Sequence, residues 1–210
     1  MYNLPRGYLS YSAMTLWLKD PEGFRAKYYV PNAPDFSTPF TEFGKKVATM
    51  LETNEYKKDP VLSKIPKYKV SEHPIEHTIE GVPIKAYIDS FDPKKGRILE
   101  YKTSIRKKHG PPAWNSVAVQ KHEQLLLYHL LVKETLGFVH PVVTLVAMET
   151  DWTEEKKGGL LRRDEGRSLY LTGKFDVFKR TIEDWEHDRM RELIVRVATE
   201  VSEDFSTRSA

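Results

Sequence analysis

Three short runs rich in β-branched and aromatic residues follow one another between residues 75 and 104, and they limit what this chain can fold into. Residues 75–80, 84–92 and 97–104 read as strands, with Gly81-Val82-Pro83 joining the first pair and Pro93-Lys94-Lys95-Gly96 the second. An antiparallel three-strand meander is expected. On either side the patterning turns helical. Residues 8–30 read as a helix pair or a broken helix, with Ser12 a candidate N-cap ahead of Met14, Leu16, Trp17 and Leu18, and Asp20-Pro21 restarting the helix. A proline-rich loop covers 31–39, and residues 40–52 place Phe40, Phe43, Val47, Met50 and Leu51 on one side of a further helix. After the meander come a basic loop (105–115), a helix from 116 to 136 ended by Gly137, and a β-branched run within 141–150 that suits a buried strand. A Gly- and charge-rich loop spans 153–167. Residues 168–171 read as a short strand and 174–203 as a long amphipathic helix. This order implies an α/β (α+β) class, a small mixed sheet flanked by helices. With 210 residues, one domain over 1–210 is expected: N-terminal helices (1–55), a core (68–150), and a C-terminal strand and helix (168–205).

The second hairpin carries the chemistry. A four-residue loop pairs Asp92 with Arg97, which sets Asp89 opposite Glu100 and Tyr87 opposite Lys102. Directly opposed side chains have Cβ atoms about 4.5–5.5 Å apart, and like charges there repel. Glu100 and Lys102 are two apart and share a face. Two carboxylates and an ammonium then occupy one patch. Such carboxylates tolerate each other if one is protonated, if a cation neighbours them, or if a divalent metal lies between them. Mg²⁺ suits the third case, because it takes one or two carboxylates together with waters and substrate phosphates. Lys102 would then orient a water or balance charge on a phosphorus. The same triplet also suits a surface ion cluster on a solvated sheet face, and a bulge would turn Asp89 to the other side. Gln120, Gln124 and Tyr128 are spaced by four and form a polar stripe on the 116–136 helix, beside Leu127, Leu130 and Leu131, which would pack on the sheet.

Charge and composition narrow the partners. The net charge is +3, and seven basic residues (Lys94, Lys95, Arg97, Lys102, Arg106, Lys107 and Lys108) fall within fifteen positions, opposed only by Glu100. Such a cluster suits a phosphate backbone. The chain has no cysteine, which excludes disulfides, Cys-bound zinc and iron–sulfur clusters. No apolar run approaches the roughly 20 residues of a membrane span. Residues 1–6 lack the basic-then-apolar layout of a secretory signal, so a cytoplasmic protein without a membrane partner is expected.

Several segments resemble one known family. Asp89 followed by Glu100-Tyr101-Lys102-Thr103 resembles the core of the PD-(D/E)XK nucleases, an Asp ending one strand and (D/E)-x-K on the next. Residues 98–104 resemble the RecB-type branch, with an aromatic between Glu and Lys and Thr after the Lys. Gln124-Leu125-Leu126-Leu127-Tyr128 resembles that branch's Q-x-x-x-Y helix motif. Ser10-Tyr11-Ser12 with Asp20-Pro21, and Phe43-Gly44-Lys45-Lys46-Val47, resemble its N-terminal segments. The likeness covers residues 8–130. It implies Mg²⁺-dependent DNA hydrolysis, with Mn²⁺ able to substitute, by an exonuclease of recombination, repair or phage DNA processing. DNA, single- or double-stranded, is the implied partner, and a homo-oligomer or a recombination protein a further one. If phage-encoded, the protein would work in the host cytoplasm. Asp89 and Glu100 would bind the metal with the Leu99 or Tyr101 carbonyl, Lys102 would act on the water, Gln124 would hold Lys102 or a phosphate, and Tyr128 would contact the backbone. Ser10, Ser12, Thr103, Arg106, Lys107, Lys108 and Lys121 would contact nucleic acid. Two positions depart from the family. Ala48 stands where a metal-binding His is common, with Glu52 one turn further as a substitute, and Asp20 stands where cluster-bearing members have Cys, so no iron–sulfur cluster is expected. The loss at Ala48 also suits a catalytically weak DNA-binding subunit of a larger assembly.

Overall fold

The computed structural model describes residues 2–30, 37–105, 112–153 and 168–209. The meander forms from β1 (Val70–Ile79), β2 (Val82–Asp92) and β3 (Arg97–Ile105). Its first turn is tighter than expected. Ile79 pairs with Val82, and Glu80 and Gly81 both take positive φ, 49° and 78°, so a two-residue turn replaces Gly81-Val82-Pro83. The second turn closes at Asp92 and Arg97, as counting predicts. β4 (Val142–Trp152) lies parallel to β3, and β5 (Leu169–Arg180) lies antiparallel to β4, giving a five-stranded mixed sheet in the order β1-β2-β3-β4-β5.

A parallel β3–β4 pair needs a crossover, and helices provide it. α4 (Ser116–Gln120) and α5 (Glu123–Leu136) connect the two strands, and Gly137 ends α5 at φ 72°. The expected single helix over 116–136 is broken at Lys121 and His122. The break has a tertiary cause. Gln120 bonds the edge of β5 through the Lys179 carbonyl and the Thr181 N–H, both at 3.1 Å, while Arg180 donates to the His122 carbonyl. Gln120 is thereby drawn away from the Gln124–Tyr128 stripe.

The C-terminal region departs most from expectation. Residues 174–180 belong to β5, and the last helix, α6 (Asp184–Ser209), begins after them. Phe175 and Phe178 pair with Met148 and Leu145, so completing the edge of β4 outweighs the helical spacing of these residues.

Helices cover both sheet faces. α1 (Tyr11–Lys19), α2 (Pro21–Tyr28), α5 and α6 share the larger core, in which Leu125, Leu126, Leu127, Leu130 and Leu131 of α5 are wholly buried. Residues 125–132 are buried without interruption, as expected of a helix held between a sheet and a second helix layer. On the other face α3 (Pro39–Glu52) packs Val47 and Leu51 against Leu99, Val146 and Met148. Ser10, not Ser12, caps α1 by accepting the Ala13 N–H at 3.2 Å, and Asp20 caps α2 ahead of Pro21. Among the described residues no helix is long and apolar enough to cross a membrane.

Candidate active site

The β2–β3 ladder runs from Asp92–Arg97 to Ser90–Leu99 and stops there. The direct backbone pairs expected next, Asp89 with Glu100 and Tyr87 with Lys102, do not form. The Asp89 carboxylate instead accepts the Tyr101 N–H at 2.7 Å, a side chain taking the place of a backbone carbonyl. Ile88 and Phe91 are three apart, yet both enter the larger core, so the alternation of β2 slips beside Asp89. The slip leaves Asp89 on the side of Glu100, and the charge of each carboxyl bears on that site.

Lys102 joins them from two residues along β3. Its Nζ lies 2.5 Å from Glu100 Oε1 and donates to Gln124 Oε1 at 2.9 Å. Gln124 Nε2 then donates to the Tyr128 hydroxyl, and that hydroxyl donates to the Tyr87 carbonyl, both at 2.7 Å. The order fixes the amide: an ammonium only donates, so the Gln124 oxygen must face Lys102. Gln124 and Tyr128 lie one turn apart on α5, and the packing of that helix on the sheet brings the pair to the carboxylates.

Burial sets the electrostatics. Glu100 is 2% exposed, and its carboxyl is pushed up to about 8, first by burial and then by Asp89. Burial also raises Asp89, opposed by the Tyr101 N–H and Lys102. Burial, then Glu100 and Asp89, holds the Tyr128 hydroxyl well above its ordinary value. Glu100 Oε2 is buried and has no hydrogen-bond donor. An orphaned carboxylate oxygen against a second carboxylate requires a proton or a cation. The side chains at the centre, Asp89 and Glu100, offer oxygen donors, which fit a hard ion such as Mg²⁺. Among the described residues no group of three or more His, Asp or Glu side chains is placed to hold a metal ion.

The remaining candidates lie around this centre. Thr103 follows Lys102 and is half-buried beneath α3, where a Cβ added to Gly44 would stand 3.4 Å from its Oγ1. Glu52 is exposed at the end of α3, and its charge is felt at Glu72. Ser10 is engaged as a cap and lies 3.1 Å from the Ser12 hydroxyl. Lys121 is exposed at the α4–α5 break. Arg106, Lys107 and Lys108 lie outside the described residues.

Two neighbours escaped the sequence reading. His122 stacks between Tyr11 and Trp114, and burial, then Lys102, pushes its imidazole down to about 4. Glu72 on β1 stands at the register position facing Asp89, and burial and then Asp89 raise its carboxyl. Counting back from the expected Gly81-Val82-Pro83 loop sets Ile75 against Asp89, and only the tighter turn between Ile79 and Val82 brings Glu72 there.

No protein-family model matches the chain, and no curated protein does. A crystal structure from Eubacterium rectale, named as a candidate exonuclease, aligns with 93% of this chain and 83% of its own, at a TM-score of 0.58 and 13% identity. A second solved structure, SSO0001, aligns with 93% of this chain and 75% of its own at a TM-score of 0.40 and 16% identity, too loosely to add to the argument. At 13% identity the first likeness is one of fold alone.

Proposed function

We propose that the protein is a Mg²⁺-dependent deoxyribonuclease of the PD-(D/E)XK superfamily, in its RecB-type branch, working as an exonuclease. One observation carries the reading: a buried Glu100 oxygen has no donor in a carboxyl that feels the charge of Asp89, while Lys102 holds the other oxygen. The likeness in fold to the candidate exonuclease supports it.

In this reading Asp89 and Glu100 hold the ion together with the Leu99 or Tyr101 carbonyl. When bound, Mg²⁺ supplies positive charge to a phosphate oxygen and acidity to a water. Glu100 would hold the ion as a carboxylate, its proton passing to solvent. Lys102 has one N–H left after Glu100 and Gln124, and it points that donor at the phosphate or the attacking water. Gln124 fixes the ammonium, and Tyr128 fixes Gln124. The side chain of Lys102 is 29% exposed, which leaves it open to substrate. The water oxygen adds to phosphorus, one ester P–O bond breaks, and the departing oxygen takes up a proton. The products are a phosphate monoester and an alcohol. Lys121 and Thr103 lie beside the path of the strand, and Lys121 makes binding depend on salt.

A second reading, a DNA-binding subunit with little chemistry, is favoured by the lack of a third converging ligand among the described residues. Incubation with end-labelled linear DNA and with circular DNA, in Mg²⁺ or Mn²⁺, separates the two. The exonuclease reading predicts digestion from ends, sparing of circles, and a loss of about 10²–10³-fold in Lys102→Ala. Equal cleavage by wild type, Lys102→Ala and Glu100→Gln overturns the assignment. Binding without cleavage by wild type supports the second reading.

A further inference from the structure

β1 carries a backbone irregularity that no turn requires. Among the described residues, two other than glycine have positive φ, Glu72 at 47° and Glu80 at 49°. Glu80 sits beside Gly81 in the two-residue turn, where left-handed backbone is needed. Glu72 lies within a strand, at a step where the ladder to β2 is interrupted. A left-handed conformation is unfavourable for a residue with a Cβ, and such outliers concentrate at functional sites.

Its place gives the irregularity a meaning. Ser71 pairs with Ser90 and His73 with Ile88, so the intervening register position sets Glu72 against Asp89. That step is left out of the ladder, on the same stretch where the alternation of β2 slips. The strain on one strand and the slip on the next fall at one point. The Glu72 carboxyl feels the charges of Asp89 and Glu52, and its own charge reaches Tyr128. A third acidic group therefore stands beside two carboxyls that already crowd each other. The buried Glu100 Oε2, without a donor, independently calls for a proton or a cation there.

We propose that Glu72 is a third carboxylate of the divalent-cation site, and that it acts through the ion's bound water instead of as a direct ligand. The hydration shell accounts for the distance: no three such side chains converge on one point among the described residues, and Mg²⁺ keeps several waters when protein-bound. Glu72 is half-buried, which gives it access to such a water. The left-handed backbone falls at the register position of Asp89, at a cost in stability that an ordinary strand residue would not incur. The inference rests on the metal-site reading of Asp89 and Glu100.

The test uses the full chain, freed of metal, titrated with MnCl₂ by calorimetry, with unfolding midpoints measured in chelator. Wild type is expected to bind, Glu100→Gln to lose binding, and Glu72→Gln to bind about 10-fold or more weakly, as groups that hold a metal's surroundings do. Glu72→Gly, which relieves the backbone, is expected to bind equally weakly while its metal-free midpoint rises by roughly 2–4 °C. If Glu72→Gln and Glu72→Gly both match wild type in affinity while Glu100→Gln does not bind, the role of Glu72 is overturned and the metal site stands. If wild type takes up no Mn²⁺, both fall.

Discussion

Gln124 decides where the Lys102 ammonium points. It accepts from Nζ at 2.9 Å and is itself held by Tyr128, so the lysine is restrained from two sides, by Glu100 and by α5. Replacing Gln124 with alanine leaves Lys102 on Glu100 alone. A loss of roughly 10–100-fold in kcat is expected, with the metal-free unfolding midpoint little changed, and steady-state kinetics beside a thermal melt will check it. Unchanged kcat would mean that Gln124 only packs. This scale was partly legible in the sequence. Asp89, Glu100 and Lys102 follow from counting back from a four-residue loop, and Gln124 and Tyr128 from their spacing on one helix. The Asp89 bond to the Tyr101 N–H was not legible, because a side chain there displaces a backbone partner. Glu72 was missed because β1 begins at Val70, and His73 and Pro74 hide that start from any alternation pattern.

Among the elements, Arg180 ties together the parts that sequence periodicity misread. It ends β5, donates to the His122 carbonyl at the α4–α5 break, and pairs with Glu186 of α6 at 2.6 Å, with its residue 3% exposed. One buried guanidinium thus stops a helix, ends a strand and anchors the start of another helix. Periodicity along the chain carries no record of such a partner, so residues 116–136 read as one helix and 174–203 as another. Arg180→Ala should cost about 3–5 kcal/mol, since it leaves the buried Glu186 without its cation, whereas Arg180→Met with Glu186→Leu should cost much less. Urea unfolding of the two variants will measure the difference, and equal costs would refute a buried-pair role. Elements whose signals were local came out as expected: α3, the turn between β2 and β3, and the glycine stop of α5.

At the scale of the molecule, the sheet brings a buried acid, its neighbour and a lysine to one place, and the terminal helices close around that arrangement. Trp17 Nε1 donates to Glu200 at 2.8 Å, and Arg25 grips Asp204 at 2.7 and 2.9 Å, contacts between residues far apart in sequence that no spacing rule foretells. The closed core is what makes Glu100 hold a proton up to about 8, against an ordinary value of 4.5. Between those values the folded chain binds the extra proton, so metal-free stability falls as pH rises across that window. A divalent ion must displace the same proton, so its affinity should rise with pH until about 8 and then level off.

The central claim is that the cation takes the place of that proton. Calorimetric titration of the metal-free protein with MgCl₂ or MnCl₂ near pH 7, in two buffers of different ionisation heat, tests it directly. The account predicts release of about one proton per ion bound by wild type, and neither binding nor release in Glu100→Gln. Binding without proton release, or equal uptake by Glu100→Gln, would contradict it.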